Sequence, residues 1–99
     1  MPGRPTFYLH ERADRDLESI FDYSVENFGF ARAEQYAYEI EQVFYRLAEN
    51  PSLGTRYDPE VKKYYRYPVG SHWIFYAPGK NGVDIYRVLH QSMLPDLHL

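Results

Sequence analysis

The sequence predicts an α+β domain in which a hairpin of two helices packs on a small antiparallel sheet, in the order β-α-α-β-β-β. Two amphipathic helical patterns follow each other between residues 11 and 50. Apolar, aromatic-rich segments joined by short turns occupy residues 64–90. Helices and strands segregated along the chain in this way are typical of two-layer α+β folds. We expect all 99 residues to form one domain, with residues 91–99 as a C-terminal tail.

Both helical segments repeat apolar residues at intervals of three and four. The first predicts a helix from about Glu11 to Asn27, and Gly29 is placed to end it because glycine tolerates a positive φ. The second ends at Asn50, since the following proline cannot donate the next helical hydrogen bond. A link this short makes the helices antiparallel neighbours. The predicted core comprises Ile40, Phe44, Leu47, Trp73 and Phe75.

Four short apolar segments predict the strands. The first, Thr6–His10, follows a proline that can start a strand but cannot lie inside one. Residues 51–63 contain two prolines and a glycine, and we interpret them as a surface loop. The five residues 78–82 end in Asn-Gly and predict a hairpin turn. The remaining strands are Tyr64–Val69, His72–Ala77 and Val83–His90.

Composition excludes several classes of function. The chain has no cysteine, which excludes a disulfide framework and a thiolate metal site. The four histidines have no metal-binding spacing, so we expect neither a metal nor another cofactor. No apolar run approaches the roughly 20 residues of a membrane helix, and the first residues do not resemble a signal peptide. We expect a cytoplasmic protein that does not bind membranes.

Charge is distributed unevenly along the chain. The net charge is -3, but residues 11–49 carry ten acids and four bases, whereas residues 50–99 carry four acids and six bases. Two halves of opposite sign indicate contacts with partners. The acidic face of the first helix is interpreted as solvated. It comprises Asp14, Asp16, Glu18, Asp22 and Glu26.

The alternation of side chains along strands suggests one mixed polar region on the sheet. Its members, if the strand registers allow, are Arg66, His72, Tyr76, Arg87 and His90. Arginines that neutralise charge, beside histidine or tyrosine that moves protons, suit phosphate binding or acid–base cleavage of RNA. The alternative is structural: Arg87 pairs with an acid and the histidines lie at strand ends. Sequence alone leaves both interpretations open.

Two segments of the last third carry a family resemblance. Tyr67–Tyr76 (YPVGSHWIFY) and Ile85–Met93 (IYRVLHQSM) resemble ParE-type toxins of the RelE/ParE superfamily. The first half agrees through A-x-x-D-L-x-x-I-x-x-Y from Ala13, then Phe28-Gly29, and then L-A-x-x-P-x-x-G from Leu47. The resemblance extends from about Tyr8 to Met93 and implies the fold predicted above.

The resemblance also implies a function in a bacterial toxin–antitoxin system. ParE-type toxins inhibit DNA gyrase by binding it, without a catalytic residue of their own, whereas RelE-type toxins cleave messenger RNA on the ribosome. The weak excess of basic residues in the second half favours gyrase. A nuclease and an inactive binding module remain alternatives. The partner would be a ParD-like antitoxin that also supplies the contact with operator DNA.

The expected contacts divide between the two layers. Antitoxin binding is expected beside the helical hairpin, and target binding on the sheet and tail. Many relatives have an acid after the methionine of this tail and a base before the final His-Leu, where this chain has Leu94 and Leu97. The predicted antitoxin contacts are Leu17, Phe21, Tyr38 and Tyr45. The predicted target contacts are Arg66, His72, Tyr76, Arg87, His90 and Met93.

Overall fold

A computed structural model describes residues 4–57, 64–93, 95 and 99 of the chain. Leu94 and Leu97 of the tail lie outside the described residues. The helices are α1 (Glu11–Phe28) and α2 (Phe30–Glu49), followed by a 3-10 turn at Pro51–Leu53. The strands are β1 (Thr6–Leu9), β2 (Thr55–Tyr57), β3 (Tyr64–Val69), β4 (His72–Gly79) and β5 (Gly82–His90).

The five strands form one sheet in the order β1-β5-β4-β3-β2. Strands β2 to β5 pair antiparallel, whereas β1 pairs parallel with β5 after the helical hairpin. The predicted α+β class and the return of the first strand to the sheet are therefore confirmed. A single residue, Gly29, separates the two helices, and its φ of 90° permits the reversal.

Two predicted connections are wrong. The loop predicted at residues 51–63 contains β2, whose three residues pair with Tyr64–Arg66 of β3. A three-residue edge strand is too short to show an alternating pattern. The five-residue turn predicted at 78–82 is shorter, since β4 continues to Gly79 and β5 begins at Gly82.

The core lies between the helices and one face of the sheet. Ile40, Phe44 and Leu47 are at most 2% exposed, as predicted, and they pack with residues of β4 and β5. Phe75 is also fully buried. The prediction for Trp73 is wrong, because its side chain is half-buried and contacts Arg66 instead of the core.

A β-bulge changes which side chains of β5 face the helices. Phe75 pairs with Arg87 and Tyr76 pairs with Ile85, so Tyr86 is an extra residue in β5. Ile85 and Val88 consequently both join the core cluster, although strict alternation would place them on opposite faces.

Gly82 is required where β5 meets β1. Its φ is 142°, and a Cβ at this position would overlap the carbonyl oxygen of Thr6, which pairs with it. The backbone of β1 therefore lies against a position that only glycine can occupy.

We expect Gly82→Ala to destabilise the fold more than Gly29→Ala. Both positions have positive φ, so each substitution introduces backbone strain of about 1–3 kcal/mol. Only Gly82 adds a clash, since nothing lies within 4 Å of the Cβ position of Gly29. Urea unfolding of the two variants measures the difference. Equal losses would show that β1 does not need this close approach.

Candidate functional site: a groove between the helical hairpin and the sheet

A groove of about 920 Å³ lies between the helical hairpin and the sheet. Both helices form one side, and the ends of β4 and β5 with the start of the tail form the other. The residues that line it include Asp16, Tyr23, Arg32, Tyr36, Glu39, His72, His90, Ser92 and Met93.

A tyrosine–histidine contact joins α2 to the sheet at this groove. The hydroxyl of Tyr36 lies 2.6 Å from Nδ1 of His72 and donates to the carbonyl oxygen of Val69 at 3.0 Å. A phenol has only one proton, so His72 donates Nδ1–H to Tyr36 while Tyr36 donates to Val69. Nε2 of His72 is then the unprotonated nitrogen of the ring.

His72 is neutral near pH 7. Burial lowers its pKa to about 4, and the neighbouring His90 contributes to the shift, while Asp16 opposes it. The two imidazole rings meet edge to face with centroids 5.3 Å apart. The exposed His90 accepts the backbone N–H of Ser92 at Nδ1, which leaves its proton on Nε2.

The charges along the groove do not suit a polyanion. Asp16 and Glu39 face it with Arg32 as the one permanent cation among its described lining residues. Because the charge of Asp16 is offset by its ion pair with Arg87, Glu39 and Arg32 balance each other and a phosphodiester would meet no excess of positive charge here. Within the described ranges, no three His, Asp or Glu side chains are placed to hold a metal ion.

Arg87 forms an ion pair with α1. Its Nε and one terminal nitrogen donate to the two carboxylate oxygens of Asp16, both at 2.8 Å, and the N–H of Val88 donates to Asp16 at 2.9 Å. These hydrogen bonds raise the pKa of Arg87. The structural alternative, in which Arg87 pairs with an acid, is confirmed. The solvated role assigned to Asp16 is wrong, since its side chain is 14% exposed.

Tyr76 is a core residue rather than a surface residue. It is 0% exposed, its hydroxyl donates to the carbonyl oxygen of Pro51, and it accepts the N–H of Gly54, both at 2.8 Å. Its hydroxyl therefore fixes the turn that leads into β2. A direct contact between Tyr76 and a target is not available in this conformation.

Arg66 lies on the opposite face of the sheet. Its guanidinium carbon is 4.2 Å from the ring centroid of Trp73 and 5.2 Å from that of Tyr57. The single polar region predicted on the sheet is therefore not formed. Of the six predicted target contacts, only His72, His90 and Met93 line the groove.

The predicted antitoxin contacts occupy two places on the hairpin. Leu17 and Phe21 line an apolar cleft of about 180 Å³ between the helices and β1. Tyr38 and Tyr45 are 61% and 44% exposed on α2. The edge of Tyr45 packs on Phe7, with ring centroids 5.1 Å apart.

Sequence reasoning missed the roles of Tyr36 and Asp16. Tyr36 belongs to the apolar stripe of α2, and nothing in the periodicity distinguishes a tyrosine that hydrogen-bonds a distant histidine. The sequence position of Asp16, by contrast, could have predicted that its side chain is partly buried. Asp16 is one turn from Ala13, which is fully buried, so its side chain is close to the buried face of α1.

Comparison with known proteins identifies the family. Residues 7–95 match the family described as ParE toxin of type II toxin-antitoxin system, parDE. This chain belongs to the ParE toxin family. It is 39% identical over 93 residues to Toxin ParE1 of Caulobacter vibrioides, covering 94% of this chain and 96% of that protein. It is 36% identical over 94 residues to Toxin ParE1 of Mycobacterium tuberculosis, with the same coverage.

Solved structures share the fold of this ParE chain. A structure described as a chromosomal ParDE system from P. aeruginosa has a TM-score of 0.73 and 17% identity, covering 86% of this chain and 94% of that one. The complex RelBE2 from Mycobacterium tuberculosis has a TM-score of 0.58 and 20% identity, covering 89% and 99%. Neither α1 nor α2, the two long helices of the described part of this ParE chain, could span a membrane.

We expect Asp16→Ala to cost about 3–5 kcal/mol of unfolding free energy, because the largely buried Arg87 charge loses the two hydrogen bonds and the negative charge of the Asp16 carboxylate. The N–H of Val88 loses its acceptor as well. Asp22→Ala, an exposed acid on the same helix, is the matched control and should leave stability nearly unchanged. Urea denaturation of both variants measures their losses of unfolding free energy. Similar small losses would mean that the ion pair contributes little.

We expect part of the acid sensitivity of the fold to come from His72. Its pKa is about 4 when folded and near 6.5 when unfolded, so the unfolded chain binds the proton first and stability falls as the pH falls between these values. His72→Gln should therefore lose less stability than wild type between pH 7 and pH 5. Parallel urea titrations test this. Identical losses of unfolding free energy in the two proteins would show that His72 does not cause the acid sensitivity.

Proposed function

We propose that this chain inhibits DNA gyrase by binding it, and that a ParD-like antitoxin neutralises this activity in the cytoplasm. The observation that carries the proposal is the family match over residues 7–95, supported by curated ParE1 relatives at 36–39% identity. The operator DNA of such a system would be contacted through the antitoxin and not by this chain.

The groove favours binding over RNA cleavage. His72 is neutral at pH 7, and the permanent charges that line the groove are one base, Arg32, and two acids, of which Asp16 is paired with Arg87. Arg87, which could have neutralised a phosphate, is already paired with Asp16. Stabilising the charge of a cleaved phosphodiester needs cations aimed at the reacting phosphate. This geometry therefore supports a toxin that acts through its surface.

The antitoxin is proposed to cover the helical hairpin. Tyr38 and Tyr45 present large rings on the outer side of α2, and aromatic rings are frequent hot spots of protein interfaces. Leu17 and Phe21 line a cleft that could receive apolar side chains. The structure described as a ParDE system from P. aeruginosa shares this fold. For the target, His72, His90 and Met93 form one candidate contact in the groove.

Expression without antitoxin, combined with assays of the purified protein, tests the function. We expect growth arrest and accumulation of gyrase–DNA cleavage complexes. Arrest with unaffected gyrase and cleaved messenger RNA would replace gyrase inhibition with ribonuclease activity. A folded protein that neither arrests growth nor affects gyrase would be an inactive binding module.

We expect Tyr38→Ala and Tyr45→Ala each to weaken antitoxin binding by about fivefold or more, as for interface residues that contribute more than 1 kcal/mol. Both rings are exposed, so the fold should be retained. Tyr8→Ala is a matched control, because Tyr8 is 65% exposed on β1, away from the outer side of α2. Titration calorimetry with the purified antitoxin measures all three. Unchanged affinity in both α2 variants would remove these residues from the interface.

A further inference from the structure

The sheet face turned away from the helices carries a preorganised cation. Arg66 lies with its guanidinium carbon 4.2 Å from the Trp73 ring centroid and 5.2 Å from that of Tyr57. We call these three residues the Arg66 shelf. All three are half-buried, so their conformations are restricted while part of each remains accessible.

Strand register places the Arg66 shelf on this face. Arg66 pairs with Thr55 of β2 and with Phe75 of β4, and Phe75 is covered edge-on by Tyr57 at 5.4 Å. The position of β2 is fixed by the turn that the buried Tyr76 hydroxyl holds. The shelf is therefore supported by the packing of Tyr57 on Phe75 and by the hydrogen bonds of the Tyr76 hydroxyl.

Stacking determines which part of Arg66 a partner can use. The guanidinium carbon lies over the two aromatic rings, and the five N–H donors of the group lie in the guanidinium plane. The ion pairs among the described residues involve other side chains, so no carboxylate of that part of the chain is within 4.0 Å of Arg66. A carboxylate or another oxyanion can bind such a fork through two parallel hydrogen bonds.

Charge separates this face from the helical layer. Strands β2, β3 and β4 contain no acid and present Arg66 on this face, whereas α1 and α2 contain ten acids and four bases. The sheet side therefore complements an acidic surface, and the helical side repels one. Tryptophan, tyrosine and arginine are also the residue types most enriched among interface hot spots.

We propose that the Arg66 shelf contacts a carboxylate-bearing surface of the protein target. This inference rests on the proposed function, in which the toxin acts by binding a protein. It adds to the candidate contact in the groove a second target contact, on the opposite face of the sheet, which lies apart from the antitoxin surface proposed on the hairpin.

Four variants of the full chain test the shelf. Arg66→Ala removes the cation, Arg66→Lys keeps the charge but not the planar fork, and Trp73→Leu removes the stacking ring. Arg56→Ala is the matched control, because Arg56 alternates with Tyr57 on β2 and therefore points to the other face. Circular dichroism and antitoxin affinity show whether each variant is folded.

Growth arrest and binding to purified gyrase are the readouts. We expect Arg66→Ala to lose at least tenfold in gyrase affinity and to reduce growth arrest, Arg66→Lys and Trp73→Leu to lose less, and Arg56→Ala to match wild type. Antitoxin affinity should stay within about twofold in every variant. The affinity of wild type for gyrase should also fall more steeply with added salt than that of Arg66→Ala.

Two outcomes would overturn the inference, and a third separates it from the proposed function. Folded Arg66→Ala that arrests growth like wild type would show that the shelf is not a target contact. Arg66-dependent binding of a single-stranded DNA or RNA oligonucleotide would show that the shelf binds a nucleic acid instead of a protein surface. If wild type arrests growth without binding gyrase, the proposed target is wrong, while loss of arrest in Arg66→Ala still supports the shelf.

Discussion

The carboxylate of Asp16 holds the two layers of this protein together at the point on which the groove depends. It accepts two hydrogen bonds from Arg87 and one from the N–H of Val88, all at 2.8–2.9 Å. The bulge at Tyr86 immediately precedes these two residues of β5. Buried charges that are paired and fully hydrogen-bonded are tolerated, whereas unpaired ones are not, so this contact fixes α1 against β5 in one arrangement.

A second contact fixes the other helix. Tyr36 joins α2 to the turn between β3 and β4 through Val69 and His72. The two contacts thus attach each helix to the sheet, while Phe44 and Leu47 are buried in the apolar core. Asp16, Tyr36 and His72, which form these contacts, also line the groove. Neutral His72 is compatible with this semi-buried setting because it needs no counter-ion.

The sequence predicts the architecture well and the polar site poorly, for physical reasons. Helical periodicity over about twenty residues leaves little ambiguity, so both helices and their antiparallel arrangement are confirmed, with bounds within a few residues. Period two fails at the bulge, since one extra residue moves every following side chain of β5 to the other face. Arg66 and His72 were expected together for a different reason, the unknown register of β3 on β4: Arg66 pairs with Phe75, which alternates with His72, so the two side chains lie on opposite faces. Asp16 was assigned to solvent because its partner is 71 residues away.

The separation of acidic helices from weakly basic strands suits a protein with two different binding partners, such as the proposed antitoxin and target. A surface that binds its inhibitor tightly and a surface that binds a target need not overlap if each layer has its own chemistry. Here the hairpin has exposed tyrosines among acids, and the described strands β2 to β4 have Arg66 on aromatic rings and contain no acid. If the two surfaces are separate, the antitoxin must block the target by its bulk or by extending around the sheet edge. A binder confined to the hairpin would then leave the Arg66 face accessible. Under the proposed arrangement, silencing of the toxin depends on how far the antitoxin extends beyond the hairpin, and not only on its affinity.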